Sequence, residues 1–323
     1  LFNKFLFCLY FPAFLIVSFF ELLRIVKKHR IDVVLSNAGG YPAGILNLLI
    51  IYFAKIMKIR NRFIIIHNFP SIDSQKTFWG YISKHINRLS TRKITVSNTL
   101  KDELERKTYF SNFSVIPNSL GNNKLARIKL NLKHKKNIAV VANLERRKGH
   151  IYLLKALPQI LNFGFDLGVY FIGNFGNAKK EINETIERLK LSEYVFKLGY
   201  KEKAISFIPN FDFLVLPSIA YESFGIVILE AWLCKKTIVA FKTGGISEVI
   251  TDRSDGLLVE HGNIEQLARS CIKLLNSPEL CYQLGSRGYA KLIDKFNSKV
   301  IARRYYELIN EDNSLNKQDS ITT

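Results

Sequence analysis

Residues Pro217–Glu248 read PSIAYESFGIVILEAWLCKKTIVAFKTGGISE. An apolar run, FLVLP, leads into the stretch, and a second apolar run ends in Gly244-Gly245. The pattern predicts strand, loop, helix, strand, with Glu222 in the loop and Glu230 about two turns inside the helix. Small residues Ser223 and Gly225 let backbone N–H groups at the helix start approach an anion closely. That is a way to hold a diphosphate without a metal. One glutamate can then reach a sugar on one side of the diphosphate, and the other a ribose on the opposite side. The stretch points to chemistry on a nucleotide sugar.

Outward from this stretch, apolar runs alternate with helical patterns, which predicts parallel α/β units. Strands are predicted at Ile31–Ser36, Arg62–His67, Lys93–Ser97 and Ser114–Ile116, with helices near 43–58, 77–90 and 98–107. Further strands are predicted near 138–144, 166–172, 195–198, 211–216, 237–241 and 256–259. The early strands end in NAGGYPAG, HNFPSID, VSNTL and IPNSLGNN, turn sequences at the strand ends where open α/β sheets place ligands. The polar, basic segment Gly121–Lys136 reads as a linker. The chain is therefore divided into residues 1–122, residues 123–295, a helix over 296–314 that packs back on the first domain, and a frayed tail over 315–323. At 323 residues it is long enough for two domains of ordinary size.

The net charge of +20 is unevenly spread. Residues 1–150 hold 26 Lys and Arg against 7 Asp and Glu, and residues 151–323 hold 21 against 20. A one-sided field suits nucleic acid, an anionic membrane surface or an acidic substrate, and the plain alternative is a lysine-rich solvated surface. No nucleic-acid-binding motif accompanies the charge, so nucleic acid is the weaker choice and none is expected as a partner. Basic residues interleaved with apolar helices, as in ILNLLIIYFAKIMKIRNR, fit an anionic lipid surface better. Residues 5–20, FLFCLYFPAFLIVSFF, fall short of the ~20 needed for a membrane span, and Pro12 interrupts them. A signal-peptide core is an alternative, with Lys4 ahead of it, but the preferred reading is an amphipathic or buried helix. The four cysteines show no metal-ligand spacing and read as unbridged thiols of a reducing cytoplasm.

At Val140–His150, VVANLERRKGH reads as a strand, a basic turn and a helix, with Lys148 at the strand's carboxyl end. A lysine there neutralises diphosphate charge, with Arg146 or Arg147 assisting; alone, the turn would read as solvated. The order VANLxxxKGH, PSxxYESFGxxxLEA, TGGxxE resembles the retaining glycosyltransferases of GT-B fold, of the group 1 or family 4 type. The likeness is strong over about 140–260 and weak in the first domain. It implies an α/β fold of two Rossmann-like domains facing a central cleft, the first binding the acceptor and the second a nucleotide sugar. It implies that Glu222 holds donor-sugar hydroxyls, Glu230 the ribose hydroxyls and Lys148 the diphosphate. The Phe224–Gly225–Ile226 backbone cups the phosphates beside Ser223, and Glu248, next to Gly244-Gly245, stands near the base of the cleft.

His67, at a strand end, matches a family position near the transferring sugar and is assigned as a hydrogen-bond donor, although a lone histidine is more often structural. Asn143 stands where the family has arginine, so phosphate binding leans on Lys148 and its neighbours. The family's first strand and glycine-rich loop have no counterpart before Leu1, which reads as an N-terminal truncation. The expected activity is metal-independent transfer from a nucleoside-diphosphate sugar to an acceptor hydroxyl, with no cofactor. The expected acceptor is a saccharide or lipid-linked molecule in bacterial envelope polysaccharide or lipopolysaccharide synthesis, at the inner face of the cytoplasmic membrane. The alternatives are an inactive nucleotide-sugar-binding or partner subunit, or a GT-B nucleotide-sugar epimerase; the glutamate pair argues against a phosphorylase.

Overall fold

The structure is a computed structural model that describes residues 2–42, 45–71, 73, 75, 77–121 and 126–319, with side chains except at 2–13, 45–46 and 312–319. Contacts divide the chain into two units. The smaller takes in residues 1–95, 100–115 and 306–323, and the larger residues 96–99 and 116–305. The division thus falls after Val115, ahead of the expected 122/123 boundary. The reason is local: Ile116–Gly121 runs with the larger unit, where Leu120 donates its N–H to the Phe296 carbonyl at 3.2 Å. The basic segment after it is pinned as well. Leu130 N–H donates to Asn210 Oδ1 at 2.9 Å, and Asn210 Nδ2 donates to the Ile128 carbonyl. Residues 122–125 of the predicted linker lie outside the described residues.

The smaller unit begins with α1 (Phe2–His29) and continues β1 (Val33–Ala38), α2 (Ile45–Ile56), β2 (Asn61–Ile66), α3 (Phe78–Leu89), β3 (Arg92–Thr95), α4 (Asn98–Lys107, whose first two residues group with the larger unit) and β4 (Phe113–Val115). Its four strands pair in parallel in the order β1-β2-β3-β4. Helix α1 runs straight through Pro12, where an interruption was predicted. Phe63, Ile64, Ile66 and Ile94 form the sheet's fully buried centre.

The larger unit holds β5 (Lys136–Val141), α5 (His150–Leu161), β6 (Leu167–Ile172), α6 (Lys179–Arg188), β7 (Val195–Gly199), β8 (Phe213–Leu216), α7 (Ile226–Leu233), β9 (Ile238–Phe241), α8 (Ile246–Val249), β10 (Leu257–Val259), α9 (Ile264–Asn276) and α10 (Pro278–Lys291). A π turn at Leu292–Phe296 and the extended residue Asn297 separate α10 from α11 (Ser298–Asp319). The helix predicted over 296–314 thus starts at Ser298, after this break. Helical backbone continues to Asp319, beyond the predicted onset of fraying, while 320–323 lie outside the described residues.

All six strands of the larger unit are parallel, in the order β10-β9-β8-β5-β6-β7. Parallel strands covered on both faces require unbroken apolar runs, and β6, β8 and β9 are buried at every residue. The chain builds outward from β5 in one direction, then crosses to β8 and builds in the other. The crevice beyond the carboxyl ends of β5 and β8 is the switch point at which doubly wound sheets bind ligands. The loop after β5 carries Lys148 and the loop after β8 carries Glu222.

Candidate functional site

The two loops are drawn together by backbone contact. Gly149 adopts φ +69°, and a Cβ there would lie 1.7 Å from the Pro217 carbonyl oxygen, so only glycine fits. Ile219 N–H donates to the Arg147 carbonyl at 2.9 Å, which fixes the register of one loop against the other. This stitching brings Lys148 Nζ onto Glu222 Oε1 as a hydrogen-bonded ion pair. Ser218 Oγ, fully buried, donates to the same oxygen at 2.9 Å. Arg147 approaches it at 3.8 Å while its Nε donates to Glu145 Oε2 at 2.7 Å. The side chains of Lys148 and Glu222 are only 16% and 11% exposed, so each would be costly to leave without the other. Burial pushes the Glu145 carboxyl up, but the hydrogen bond and charge of Arg147 outweigh it and hold the group below the usual range.

Glu222 is also held from behind. Gly245 N–H donates to the Glu222 carbonyl at 2.7 Å. Cβ atoms at Gly244 and Gly245 would lie 2.2 Å and 2.1 Å from the carbonyl oxygens of Glu222 and Ser223. The pair of glycines after β9 is thus a close-approach surface for the Glu222 loop. Gly225, at φ +80°, turns the chain into α7. At the start of α7 the Ile228 N–H donates to the Gly225 carbonyl at 2.9 Å, which leaves the N–H groups of Ile226 and Val227 at the positive end of the helix dipole. Phe224 anchors this turn, its buried ring 5.7 Å from that of Phe296 in an edge-to-face contact.

Glu230 lies one turn inside α7, closer to the helix start than the predicted two turns. Among the described residues no side chain or N–H donates to its carboxylate, and burial pushes it up to about 7. Glu248 is placed differently: one carboxylate oxygen accepts from Asn98 N–H and Nδ2 at 2.7 and 2.9 Å, the other from Thr99 N–H and Oγ1, both at 2.7 Å. These bonds outweigh burial and hold it below the usual carboxylate range. The sequence puts Glu248 at a ligand, whereas its oxygens are spent on Val96–Thr99, a segment of the same unit.

Asn143 Oδ1 accepts from Asn174 N–H at 3.0 Å, tying the β5 loop to the β6 loop. Arg147 is half-exposed, and Arg146 is turned outward to Glu181 at 3.2 Å. His67 belongs to the smaller unit, just past β2, with its N–H donating to the Ala38 carbonyl at 3.1 Å. Among the described residues, no group of three or more His, Cys, Asp or Glu side chains is placed to hold a metal ion. Sequence reasoning missed Ser218, although its spacing of four residues ahead of Glu222 was there to read. It also missed the Lys148–Glu222 pairing and His150, whose buried imidazole has neither ring nitrogen partnered and is pushed down to about 4 by burial and by Lys148.

Residues 122–291 match the family described as glycosyl transferases group 1. Among curated proteins, the chain is 27% identical over 293 residues to an uncharacterized glycosyltransferase of Methanocaldococcus jannaschii, covering 89% of this chain and 78% of the relative. It is 31% identical over 136 residues to the poly(ribitol-phosphate) alpha-N-acetylglucosaminyltransferase of Staphylococcus aureus, covering 42% of this chain and 27% of that protein. It is 28% identical over 163 residues to the lipopolysaccharide core biosynthesis glycosyltransferase LpsD of Rhizobium meliloti, covering 50% and 46%. The chain thus spans less than half the length of the last two. Among solved structures, a glycosyltransferase from Rickettsia africae superposes with a TM-score of 0.76 at 20% identity, over 93% of this chain and 82% of that one. Anabaena Alr3699/HepE in complex with UDP gives 0.75 at 20% identity, over 91% and 82%. The fold is that of GT-B glycosyltransferases, with parallel α/β sheets in both units.

Proposed function

The chain belongs to the glycosyl transferases of group 1, and on that premise we propose that the whole protein moves a sugar from a nucleoside diphosphate to an acceptor hydroxyl with retention at the anomeric carbon, as a family 4 type hexosyltransferase. The observation that carries this reading is the pairing of Lys148 with Glu222 at the strand switch point, next to the free start of α7 and the unpartnered Glu230. The ion pair satisfies itself within the protein. An incoming donor divides it: Lys148 turns to the diphosphate, and Glu222, still held by Ser218, accepts from sugar hydroxyls. Glu230 accepts from the ribose hydroxyls, which relieves its unpaired burial. The backbone of Ser223–Ile226, Arg147 and the Gly245 turn complete the cradle.

As the bond from the anomeric carbon to the diphosphate oxygen breaks, negative charge grows on the leaving group. Lys148 and the α7 N–H groups stabilise it without a metal ion. The acceptor oxygen bonds to the same face of the sugar and passes its proton to the departing phosphate. The solved HepE complex contains UDP, and a relative named for lipopolysaccharide core biosynthesis supports a saccharide acceptor; the inner membrane face is part of the proposal.

Calorimetric titration with UDP, GDP and ADP, in chelator, tests the donor site. One of the three is expected to bind wild type and to bind Lys148→Ala at least about tenfold more weakly, as the loss of a charge-assisted contact requires. No binding of any nucleotide, or equal binding by Lys148→Ala, would remove the basis for the site.

A further inference from the structure

The loops that carry Lys148 and Glu222 leave the carboxyl ends of β5 and β8. The opposite end of the same sheet holds a separate cavity of about 160 Å³. On one side of it, Lys136 opens β5, Asp212 immediately precedes β8, and Lys235 and Lys236 form the turn from α7 into β9. Leu274 and Leu275 at the end of α9 and Pro278, Cys281 and Tyr282 at the start of α10 close the other side. Because all six strands are parallel, these strand starts lie together, a strand's length (~20 Å for six residues) from the donor loops. Ligands of open α/β sheets gather at the carboxyl ends, so this cavity is no part of the donor site. Its walls are locked. A Cβ at Gly285 of α10 would lie 2.2 Å from the Lys235 carbonyl oxygen, so that helix presses directly on the lysine turn. Lys236 N–H donates to the Ala231 carbonyl at 2.9 Å. Asn137 N–H donates to Asp212 Oδ2 at 2.6 Å, and Asp212 N–H returns a bond to the Asn137 carbonyl at 2.7 Å.

Charge selects the ligand. Three lysines line the cavity against one acid, Asp212, and one oxygen of that acid is already engaged by Asn137. Lys136 and Lys236 are partly buried, and among the described residues neither ammonium is in an ion pair. Burial holds Lys236 below the usual lysine range; Asp212 only partly offsets this, and Arg127 adds to the repulsion. Glu279, the acid in the first turn of α10, does not line the cavity and accepts from Gln283 Nε2 at 3.4 Å. The Cys281 thiol donates to the Leu274 carbonyl at 3.3 Å, and burial pushes it up to about 11, so it stays a neutral thiol. The dipole of α10, which begins at the cavity, adds further positive potential. An excess of two positive charges is balanced by one dianion, whereas a single carboxylate would leave half of it unmet. The volume is below the ~300–1,000 Å³ of pockets that enclose drug-sized ligands, so the bound group is small. A phosphate is both small and doubly charged near neutral pH, and lysine ammonium groups bind it as point charges.

We infer that the cavity at the amino edge of β5, β8 and β9 binds a phosphate dianion, free or as the head of a small phosphate monoester, with Lys136 and Lys236 as its principal contacts. This second site shares no residue with the donor loops and does not depend on which nucleotide they take.

Calorimetric titration with inorganic phosphate and with glycerol phosphate, at constant ionic strength, tests the site. Phosphate is expected to bind wild type saturably, to bind Lys136→Gln/Lys236→Gln at least about tenfold more weakly, and to keep a saturable site in Lys148→Ala. Because Lys136 and Lys236 are partly buried, Lys235→Glu at an exposed position supplies a second variant that spares the fold. Its reversed charge is expected to weaken binding about tenfold. Tighter binding of glycerol phosphate than of phosphate assigns the cavity to a monoester, and the opposite order assigns it to the free ion. Absence of saturable phosphate binding overturns the inference, as does equal competition by chloride. So does binding that survives both lysine variants undiminished, or that only Lys148→Ala removes. Titration of Lys136→Gln/Lys236→Gln with UDP, GDP and ADP keeps the two proposals apart, and its nucleotide binding is expected to match wild type. Nucleotide binding without phosphate binding at this edge sinks only the second site, and the reverse sinks only the donor site.

Discussion

Helices α2 and α7 are both mostly apolar, each with one charged residue, yet they end in opposite surroundings. In α7, IVILEAWL, the side chains of Val227, Ile228, Leu229, Ala231 and Trp232 are all buried. Trp232 is closed in far enough that its Nε1 donates to the Asp255 carbonyl at 2.9 Å. The one polar residue, Glu230, is dragged into low dielectric and pushed up to about 7. In α2, ILNLLIIYFAKI, one side is core and the other is open, and its one charged residue, Lys55, stays exposed. Apolar composition alone does not say whether a helix is walled in. What decides is whether neighbours cover it: α10 and the π turn pack on α7, while α2 is left with grooves on both flanks. The first outcome buries a carboxylate, and the second leaves Tyr52 and Ile56 open to solvent.

The comparison breaks first at the donor site. Lys148→Ala is expected to lower sugar transfer by about two to three orders of magnitude, the usual loss when a stabiliser of transition-state charge is removed. Single-turnover rates in the full-length protein measure it, and a change of less than tenfold would mean that the pairing with Glu222 is only structural. Next, Ile228→Ala in α7 is expected to destabilise the fold by about 2–5 kcal/mol, and Ile56→Ala in α2 by less than about 0.5 kcal/mol. Urea titration of both variants decides it, and equal costs would show that the open flank of α2 is covered.

The buried titratable pair sharpens the picture further. Glu230 has a folded pKa of about 7, above its ordinary 4.5, so the folded state binds the extra proton and stability falls as pH rises from about 4.5 to about 7. His150 has a folded pKa of about 4, below its ordinary 6.5, so stability is lost as pH falls from about 6.5 to about 4. Each effect amounts to about 3 kcal/mol at most, and the two slopes oppose each other over most of the same window. Glu230→Gln should therefore expose a rise in thermal stability with pH, and His150→Leu a fall. Parallel profiles for the two variants would refute the assignment. A smaller effect on the site belongs to Ser218→Ala, which removes one hydrogen bond to a paired carboxylate. It is expected to cost about 1–2 kcal/mol in chemical denaturation and to raise the donor KM more than it lowers kcat.

Much of this molecule was legible before folding. Fully buried parallel strands are written as uninterrupted apolar runs, so β6, β8 and β9 were found within one or two residues of their observed ends. The turn glycines were legible too, since Gly225 and Gly244-Gly245 occupy positions that only glycine suits. Less legible was anything that depends on a neighbour distant in sequence. Glu248 looked like a ligand because it stands three residues past a glycine pair. Its commitment to Asn98 and Thr99 is a contact across 149 to 150 positions that no local pattern encodes. Pro12 looked like a break, and the backbone of α1 carries through it.

By itself, the sequence determined the α/β class, the two-unit organisation and the residue types of the donor loops, because periodicity, turn chemistry and burial on both faces are local constraints. Only the tertiary structure decided which of those residues meet. The crossover from β7 to β8 returns the chain to the side of β5, and that crossing puts Lys148 and Glu222 in contact across 74 positions of sequence. It also decided that α7 is covered and α2 is not, because coverage depends on which neighbours pack against a helix, a property its own residues do not carry.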